Sequence, residues 1–348
     1  MNGEIAAILA MDGIASGAIY VLIGLGFVLI FAVTRVIFVP FGDIAAFTAL
    51  SLASLETGNR PGTVGLVAVL AVLATAVEAS ALVRARAFRR LPRALFLYLL
   101  LPLIPATTVW FAAGSNLSMP LRIGLALALA LPIAPLLDRI VFRPIADASV
   151  LLLLTVAVAL HFALSGLGLL FFGPEGVRTK PLTEAVFEIA GLTVNAQMLL
   201  VVAASVVFSG LLFLFFEFTV QGKALRATAI NRTGARLVGI WPASTAAVAY
   251  LLASLLAGIS GVLIAPVTTI FYDSGFLIGL KAFVGAIIGA MTSYPVTALG
   301  AVLVGLLESF ASFWLSAYKE VVVFGLLIPV LLWRSLSLVT SEEEEAEE

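Results

Sequence analysis

Long apolar runs alternate with short polar breaks along the whole chain. A helix needs about 20 apolar residues to cross a bilayer, fewer where it is broken or re-entrant. By that measure the pattern predicts eleven membrane segments, at about 12–34, 43–57, 62–83, 94–113, 121–142, 149–172, 197–218, 243–265, 276–290, 296–315 and 321–337. The second and ninth are short, and only MTSYP joins the ninth to the tenth. These are candidates for half-membrane segments, which are tolerated only where protein or a water-filled cavity covers the broken backbone.

One long polar interruption stands in the apolar second half. GKALRATAINRTGARLVGI, Gly222 to Ile240, carries Lys223, Arg226, Arg232 and Arg236 and no acidic residue. Gly222, Gly234, Gly239 and Pro242 punctuate it, which favours one or two short surface helices over another span. Short loops rich in Lys and Arg resist translocation, so this one is expected in the cytoplasm. Two readings follow: a loop that merely sets topology, or a docking element for a cytoplasmic partner. Fixing this loop inside fixes the others by parity. The run RARAFRRLPR, Arg84 to Arg93, then falls inside with Arg35, Arg139, Arg143 and Arg334, so thirteen of the nineteen Lys and Arg are inside. Arg60, Arg122, Arg178, Lys180, Lys281 and Lys319 are outside, as are the N-terminus and the long loop 173–196, while the C-terminus is inside. The opening MNGEIAAILAMDG lacks a basic region ahead of its apolar residues, so the first span is expected to be retained.

Composition narrows the class further. Of 348 residues, 62% are hydrophobic and 11% charged, with a mean hydropathy of +1.18, the balance of an integral membrane protein throughout. The near-zero net charge conceals the basic loops and the acidic tail EEEEAEE. The chain has no cysteine, which removes disulfides and thiol catalysis, and its single histidine, His161, rules out a multi-histidine metal site within one chain. No GxxxxGK[ST] occurs; the one Gly-Lys pair, Gly222-Lys223, lacks the upstream glycine, so no P-loop binds ATP here. Neither HExxH nor GxSxG is present. No catalytic residue, metal site or nucleic-acid partner is expected.

Charged groups inside the expected spans are few. Glu308 lies mid-span in VLVGLLESFASFW, Glu78 lies late in the third span, and His161 lies in LTVAVALHFAL. Each is expensive in a bilayer unless it faces a cavity or a partner, so each is either a functional group or one bonded to a neighbouring helix. Lys281 and Asp273 sit near an outer boundary, where a lysine can snorkel. Gly275, Gly279, Gly285, Gly289, Gly300 and Gly305 cluster late in the chain. They fit either close helix packing or broken helices lining a pathway.

Four blocks of residues resemble the H-type permease subunits of branched-chain amino acid ABC transporters. The first is SGAIYVLIGLGFVLIFAVTRVI, Ser16 to Ile37, with FGDIAAF, Phe41 to Phe47. The second is DRIVFRPIADAS, Asp138 to Ser149, with LLFFGPEG, Leu169 to Gly176. The basic loop is the third. The fourth is LAGISGVLIAPV, GFLIGLKAFVGAIIGA and LGAVLVGLLES, ending in AYKEVVVFGLLIPVLLW. The resemblance implies an all-α, polytopic permease fold with broken or re-entrant central helices, set in a bacterial inner membrane. It makes the basic loop the coupling segment to an ATPase, with Gly222, Lys223, Arg226, Ala229, Arg232, Arg236 and Gly239 as its residues. It implies as partners a second related permease, two ATPase subunits that hold the ATP and magnesium, and a periplasmic binding protein that delivers the solute.

The candidate pathway residues are Tyr20, Phe38, Phe41, Asp43, Gly285, Gly289 and Glu308. The chain departs from the family at Ile37 to Asp43, IFVPFGD, where INFAHGE is common. Phe38 and Phe41 stand in place of an asparagine and a histidine; where this turn borders the pathway it is more apolar, which leaves the expected cargo as a branched-chain amino acid or a related amino, organic or aromatic acid. Asn231 and Thr233 replace acidic residues, which makes the coupling loop more positive. Residues from about 57 to 119 look like a two-span insertion into a single permease domain, 1–340, followed by the tail at 341–348. An ion-coupled secondary transporter and a membrane scaffold are the competing readings. The first needs more intramembrane ionisable groups than Glu78, Glu308 and His161 provide, and the second leaves the basic loop unexplained.

Overall fold

The computed structural model describes residues 3–189 and 192–332. All eleven expected segments are helical over their described residues. They are α1 (Gly3–Thr34), α2 (Phe41–Glu56), α3 (Thr63–Arg84), α4 (Phe88–Ala112), α5 (Met119–Ile145), α6 (Val150–Phe172), α7 (Ala196–Phe218), α10 (Pro242–Ile264), α11 (Ser274–Ile288), α12 (Tyr294–Trp314) and α13 (Lys319–Gly325). Helix resumes over 327–332. The basic interruption forms α8 (Val220–Ile230) and α9 (Arg232–Leu237), and a hairpin of β1 (Val186–Ile189) and β2 (Leu192–Asn195) stands between α6 and α7. Eight of the described helices are long and apolar enough to cross a membrane. Arg334, the end of the eleventh segment and the acidic tail lie outside the described residues.

Helices α2 and α11 have 16 and 15 residues. At 1.5 Å per residue each reaches roughly 22–24 Å, short of the ~30 Å hydrocarbon core. Broken backbone at membrane depth must be covered, and α2 is: from Phe41 to Ala53 every residue is buried. The two short helices meet where Gly42 faces Gly275 and Gly279; a Cβ on Gly42 or Gly275 would run into the opposing backbone.

Helix α1 is the hub, packing on α12, α10, α11 and α7. Its longest contact, with α12, is built from small residues. Gly13 and Gly17 meet Gly305, Ala301 and Val302 so closely that a side chain on either glycine would strike the partner's backbone. In lipid such approach is what holds helices together, because no hydrophobic force distinguishes a leucine from a lipid tail. The late glycines follow the same logic. Gly285 lies on Ala301, Gly289 on Thr297 and Gly300 on Ile288.

Segment 57–119 supplies the whole of α3 and α4, and polar contacts tie it to the rest. Ser51 and Thr63 are 2.6 Å apart, Glu78 pairs with Arg139 of α5, and Arg143 of α5 donates to Tyr98 of α4 at 3.4 Å. Gly62 lies against Phe171, and the Arg60 guanidinium sits 4.2 Å from the Trp110 ring centroid. Outward, this segment presents Phe96, Leu100, Ile104 and Phe111, the apolar face expected of a helix next to lipid.

Candidate functional site

Two places in the chain carry chemistry: the basic element and a buried charge cluster. The basic element is capped at both helix starts by its own side chains. Thr219 accepts from the Gly222 amide at 2.9 Å, and Asn231 from the Gly234 amide at 2.8 Å, the pairings expected of N-caps. It stops at Gly239, whose φ of 85° is left-handed. The Gly239 amide donates to Arg236 (3.1 Å) and the Ile240 amide to Ala235 (2.9 Å), which satisfies two terminal carbonyls. Leu225, Thr228 and Ala235 face the bundle, with Thr245 of α10 donating to Thr228 at 3.2 Å. Gly222 lies against the backbone of Phe215 and Phe216, fixing α8 on the end of α7.

The opposite face is exposed and mixed in character. Lys223 and Arg236 are exposed beside Ile230 and Leu237, each 85% exposed, and Trp241, 75% exposed. Arg232 and Ala229 are half-buried. Arg226 is spoken for within the chain, donating to the Phe216 carbonyl and pairing with Glu217 at 2.9 Å. Arg226 thus braces the α7–α8 joint while its side chain stays about half exposed. The apolar share of the surface escaped sequence reading, because a leucine beside an arginine does not announce which way it faces.

The charge cluster joins four helical segments. Lys281 of α11 is only 6% exposed. Its ammonium donates to Glu308 Oε1 of α12 at 2.5 Å and lies 3.0 Å from Glu320 Oε1 at the start of α13. Tyr20 of α1 donates to the other oxygen of Glu308 at 2.6 Å. Lys281 therefore does not snorkel to a boundary; it neutralises Glu308 inside the protein. Of the candidate pathway residues the structure brings together Tyr20 and Glu308, and both border a cavity of about 430 Å³. Lys281 and Glu320 complete the cluster and were missed, since residues 27 positions apart carry no sequence mark of pairing.

The remaining candidates lie elsewhere. Asp43, 1% exposed, faces His161 of α6, whose Nδ1 is 2.8 and 2.9 Å from the two carboxylate oxygens. The imidazole stacks on Phe276 with ring centroids 4.5 Å apart. His161 is thus a packed, bonded group. Phe38 and Phe41 are fully buried; Phe38 packs edge-on against Phe142 and Tyr250, and Phe41 against Phe27. Gly285 and Gly289 lie in the α11–α12 interface. Glu78 of α3 is neutralised by Arg139 of α5. Among the described residues no group of three or more His, Cys, Asp or Glu is placed to hold a metal ion.

The family model for branched-chain amino acid transport system / permease component matches residues 9–331, nearly the whole chain. The chain belongs to this permease family. Among curated proteins it is 30% identical over 217 residues to the high-affinity branched-chain amino acid transport system permease protein BraD of Pseudomonas aeruginosa. It is 27% identical over 218 residues to the permease protein LivH of Escherichia coli K12, and 29% over 217 to LivH of Salmonella typhimurium. In each case the match covers 60% of this chain and 70% of the relative. No solved structure matches. The resemblance read from the four blocks is therefore borne out, as is the helical, multi-pass membrane character. For a permease of this family, the exposed α8–α9 element and the cavity beside Lys281 are the two features to which a role can be attached.

Proposed function

We propose that this chain is the membrane-spanning permease subunit of an ATP-driven importer for a small organic solute, a branched-chain amino acid or a related amino, organic or aromatic acid. The observation that carries this reading is the α8–α9 element. It lies between two membrane-length helices, is seated on them through Gly222, Leu225 and Thr228, and turns Ile230, Leu237, Trp241, Lys223 and Arg236 outward. A surface loop that only sets topology needs positive charge; it has no use for large exposed apolar side chains, which mark a partner's contact surface. The partner in this reading is a cytoplasmic ATPase subunit that binds ATP and magnesium, two copies serving two related permeases. Nucleotide-driven closure of the pair would press on α8–α9 and move α7 and α10.

The orientation that follows puts α8–α9 and Arg84–Arg93 in the cytoplasm and the hairpin face outside an inner membrane, where a periplasmic binding protein delivers solute. The N-terminus is then periplasmic, the C-terminus cytoplasmic, and residues 1–340 act as one permease domain with α3–α4 as its inserted pair. Ion-coupled transport is disfavoured because Glu78, Glu308 and His161 each have a partner inside the chain.

The test is to purify the chain from its native host membrane and ask whether a P-loop ATPase accompanies it. Wild type is expected to retain the ATPase, and a Leu237→Asp, Ile230→Asp chain to insert normally and lose it. Retention of the ATPase by the double variant would overturn the coupling role of α8–α9, and absence of any ATPase from the wild type would overturn the importer reading.

A further inference from the structure

The turn between α3 and α4 lies outside the four blocks that carry the family resemblance. It holds five arginines, Arg84, Arg86, Arg89, Arg90 and Arg93, and every one of them is exposed. Among the described residues none of the five pairs with a carboxylate. Glu78, the only acidic residue from 57 to 119, is already taken by Arg139 of α5. The turn is thus a concentration of positive charge with no counter-charge in its own stretch of chain.

The turn has a defined shape. Arg86 has a left-handed φ of 53°, at the helix-ending position that glycine usually holds. Its amide donates to the Val83 carbonyl at 3.1 Å and the Ala87 amide to the Leu82 carbonyl at 2.9 Å, which closes α3. A single 3₁₀ turn, Phe88–Arg90, leads into the rest of α4, where Pro92 stands in the first regular turn. Apolar side chains stand among the arginines: Phe88 is 59% exposed, and Phe96, further along α4, 52%. Phe96 shares the outward face of α4 with Leu100, Ile104 and Phe111, so the arginines crown the end of a lipid-facing helix. A run that only fixed topology would need the charge; it would have no use for an exposed phenylalanine in the turn itself.

We propose that this turn binds anionic phospholipid of the surrounding bilayer, its arginines on the headgroup phosphates and Phe88 and Phe96 against the acyl chains. An arginine meets phosphate oxygens with two parallel N–H donors. A basic cluster directly beside a membrane helix is the arrangement that draws anionic lipid to it. An acidic protein surface would match the charge, but not the apolar face that continues from Phe96 along α4. The proposal depends neither on the importer reading nor on which side of the membrane the turn occupies.

The chain has no native cysteine, so a bimane on Leu100→Cys reports the lipid beside the turn, and one on Leu170→Cys, exposed near the end of α6, reports lipid elsewhere. Each full-length protein is placed in phosphatidylcholine nanodiscs that carry a minor share of dibrominated phosphatidylglycerol or dibrominated phosphatidylcholine. The brominated phosphatidylglycerol is expected to quench the Leu100→Cys label more strongly, and the two lipids to quench the Leu170→Cys label alike. Adding Arg89→Gln, Arg90→Gln and Arg93→Gln should erase most of the preference, about fivefold for each arginine that reaches a phosphate. Lysines at the same three positions should keep most of it, and the unfolding midpoint of the glutamine variant should match the parent's, since the three side chains are exposed. Equal quenching by the two lipids, a preference that survives the glutamines, or one shared by the Leu170→Cys label would each overturn the proposal. So would loss of the preference in millimolar glycerol 1-phosphate, which would assign the turn to a soluble anion. Equal quenching together with loss of a co-purifying ATPase from the glutamine variant would overturn it in favour of a protein contact.

Discussion

Lys281 and Glu308 sit on different helices, 27 residues apart, with Nζ and Oε1 separated by 2.5 Å in a setting where the lysine is almost wholly enclosed. The two charges cancel at a depth where either alone would be expensive. The pair, with Tyr20 and Glu320, ties the middle of α11, the body of α12 and the start of α13 to α1.

Removing one partner should therefore cost more than removing both. Lys281→Met alone strands a buried carboxylate, and about 3–5 kcal/mol of stability is the usual penalty. Lys281→Met with Glu308→Gln should recover most of it, since the glutamine keeps an acceptor for Tyr20. Thermal unfolding in detergent reads the difference. Equal destabilisation of single and double variants would mean that the pair contributes no coupling.

Glu308 itself can be parsed by two substitutions. Glu308→Gln retains shape and hydrogen bonding, and Glu308→Ala removes both. Normal uptake by the glutamine form with an unstable alanine form would assign Glu308 to helix register. Normal assembly of both with uptake lost in each would assign it to the solute path.

The Asp43–His161 contact should be structural. Asp43→Ala leaves the ring nitrogen without its acceptor, for about 1–3 kcal/mol, and Asp43→Asn, which can still accept from it, should cost clearly less. Unfolding midpoints give the ranking; a more damaging asparagine would show that the negative charge, rather than the hydrogen bond, is what His161 requires.

Gly305→Val should force α1 and α12 apart, because its new side chain would meet the backbone of Gly13 and Gly17. Overpacking of this kind costs about 1–3 kcal/mol or more. The expected result is reduced membrane yield and a lower unfolding midpoint. A stable Gly305→Val chain would mean the two helices are not held at this distance.

Gly239→Ala should loosen the end of α9, since a left-handed alanine costs roughly 1–2 kcal/mol. Arg236 is exposed one turn earlier, so trypsin is expected to cut there faster while the unfolding midpoint of the bundle holds. Unchanged cleavage would argue that the stop does not depend on glycine.

Sidedness is open to single-cysteine labelling in intact cells. A cysteine replacing Thr193 should react with an impermeant reagent, and one replacing Arg89 should not. The reverse pattern would invert the whole arrangement.

Hydropathy alone located the membrane segments, because long apolar runs have no other stable place in a protein of this composition, but not their limits: α1 starts at Gly3 rather than 12 and α4 at Phe88 rather than 94. It also marked α2 and α11 as short and the basic stretch as one or two surface helices, since glycine and proline end helices by local chemistry that adjacent residues share. What sequence could not determine was which side chains meet. Lys281 read as a boundary residue and proved to be the counter-ion of Glu308; Arg226 read as a coupling residue, and only the fold showed its contact with Glu217. Gly285 and Gly289 fit either packing or a pathway in the sequence, and only the fold showed Ala301 and Thr297 packed against them. Local periodicity records how one helix presents itself to its surroundings. Charge pairing and the cavity beside it arise between helices far apart in the chain, where only the folded arrangement sets the distances.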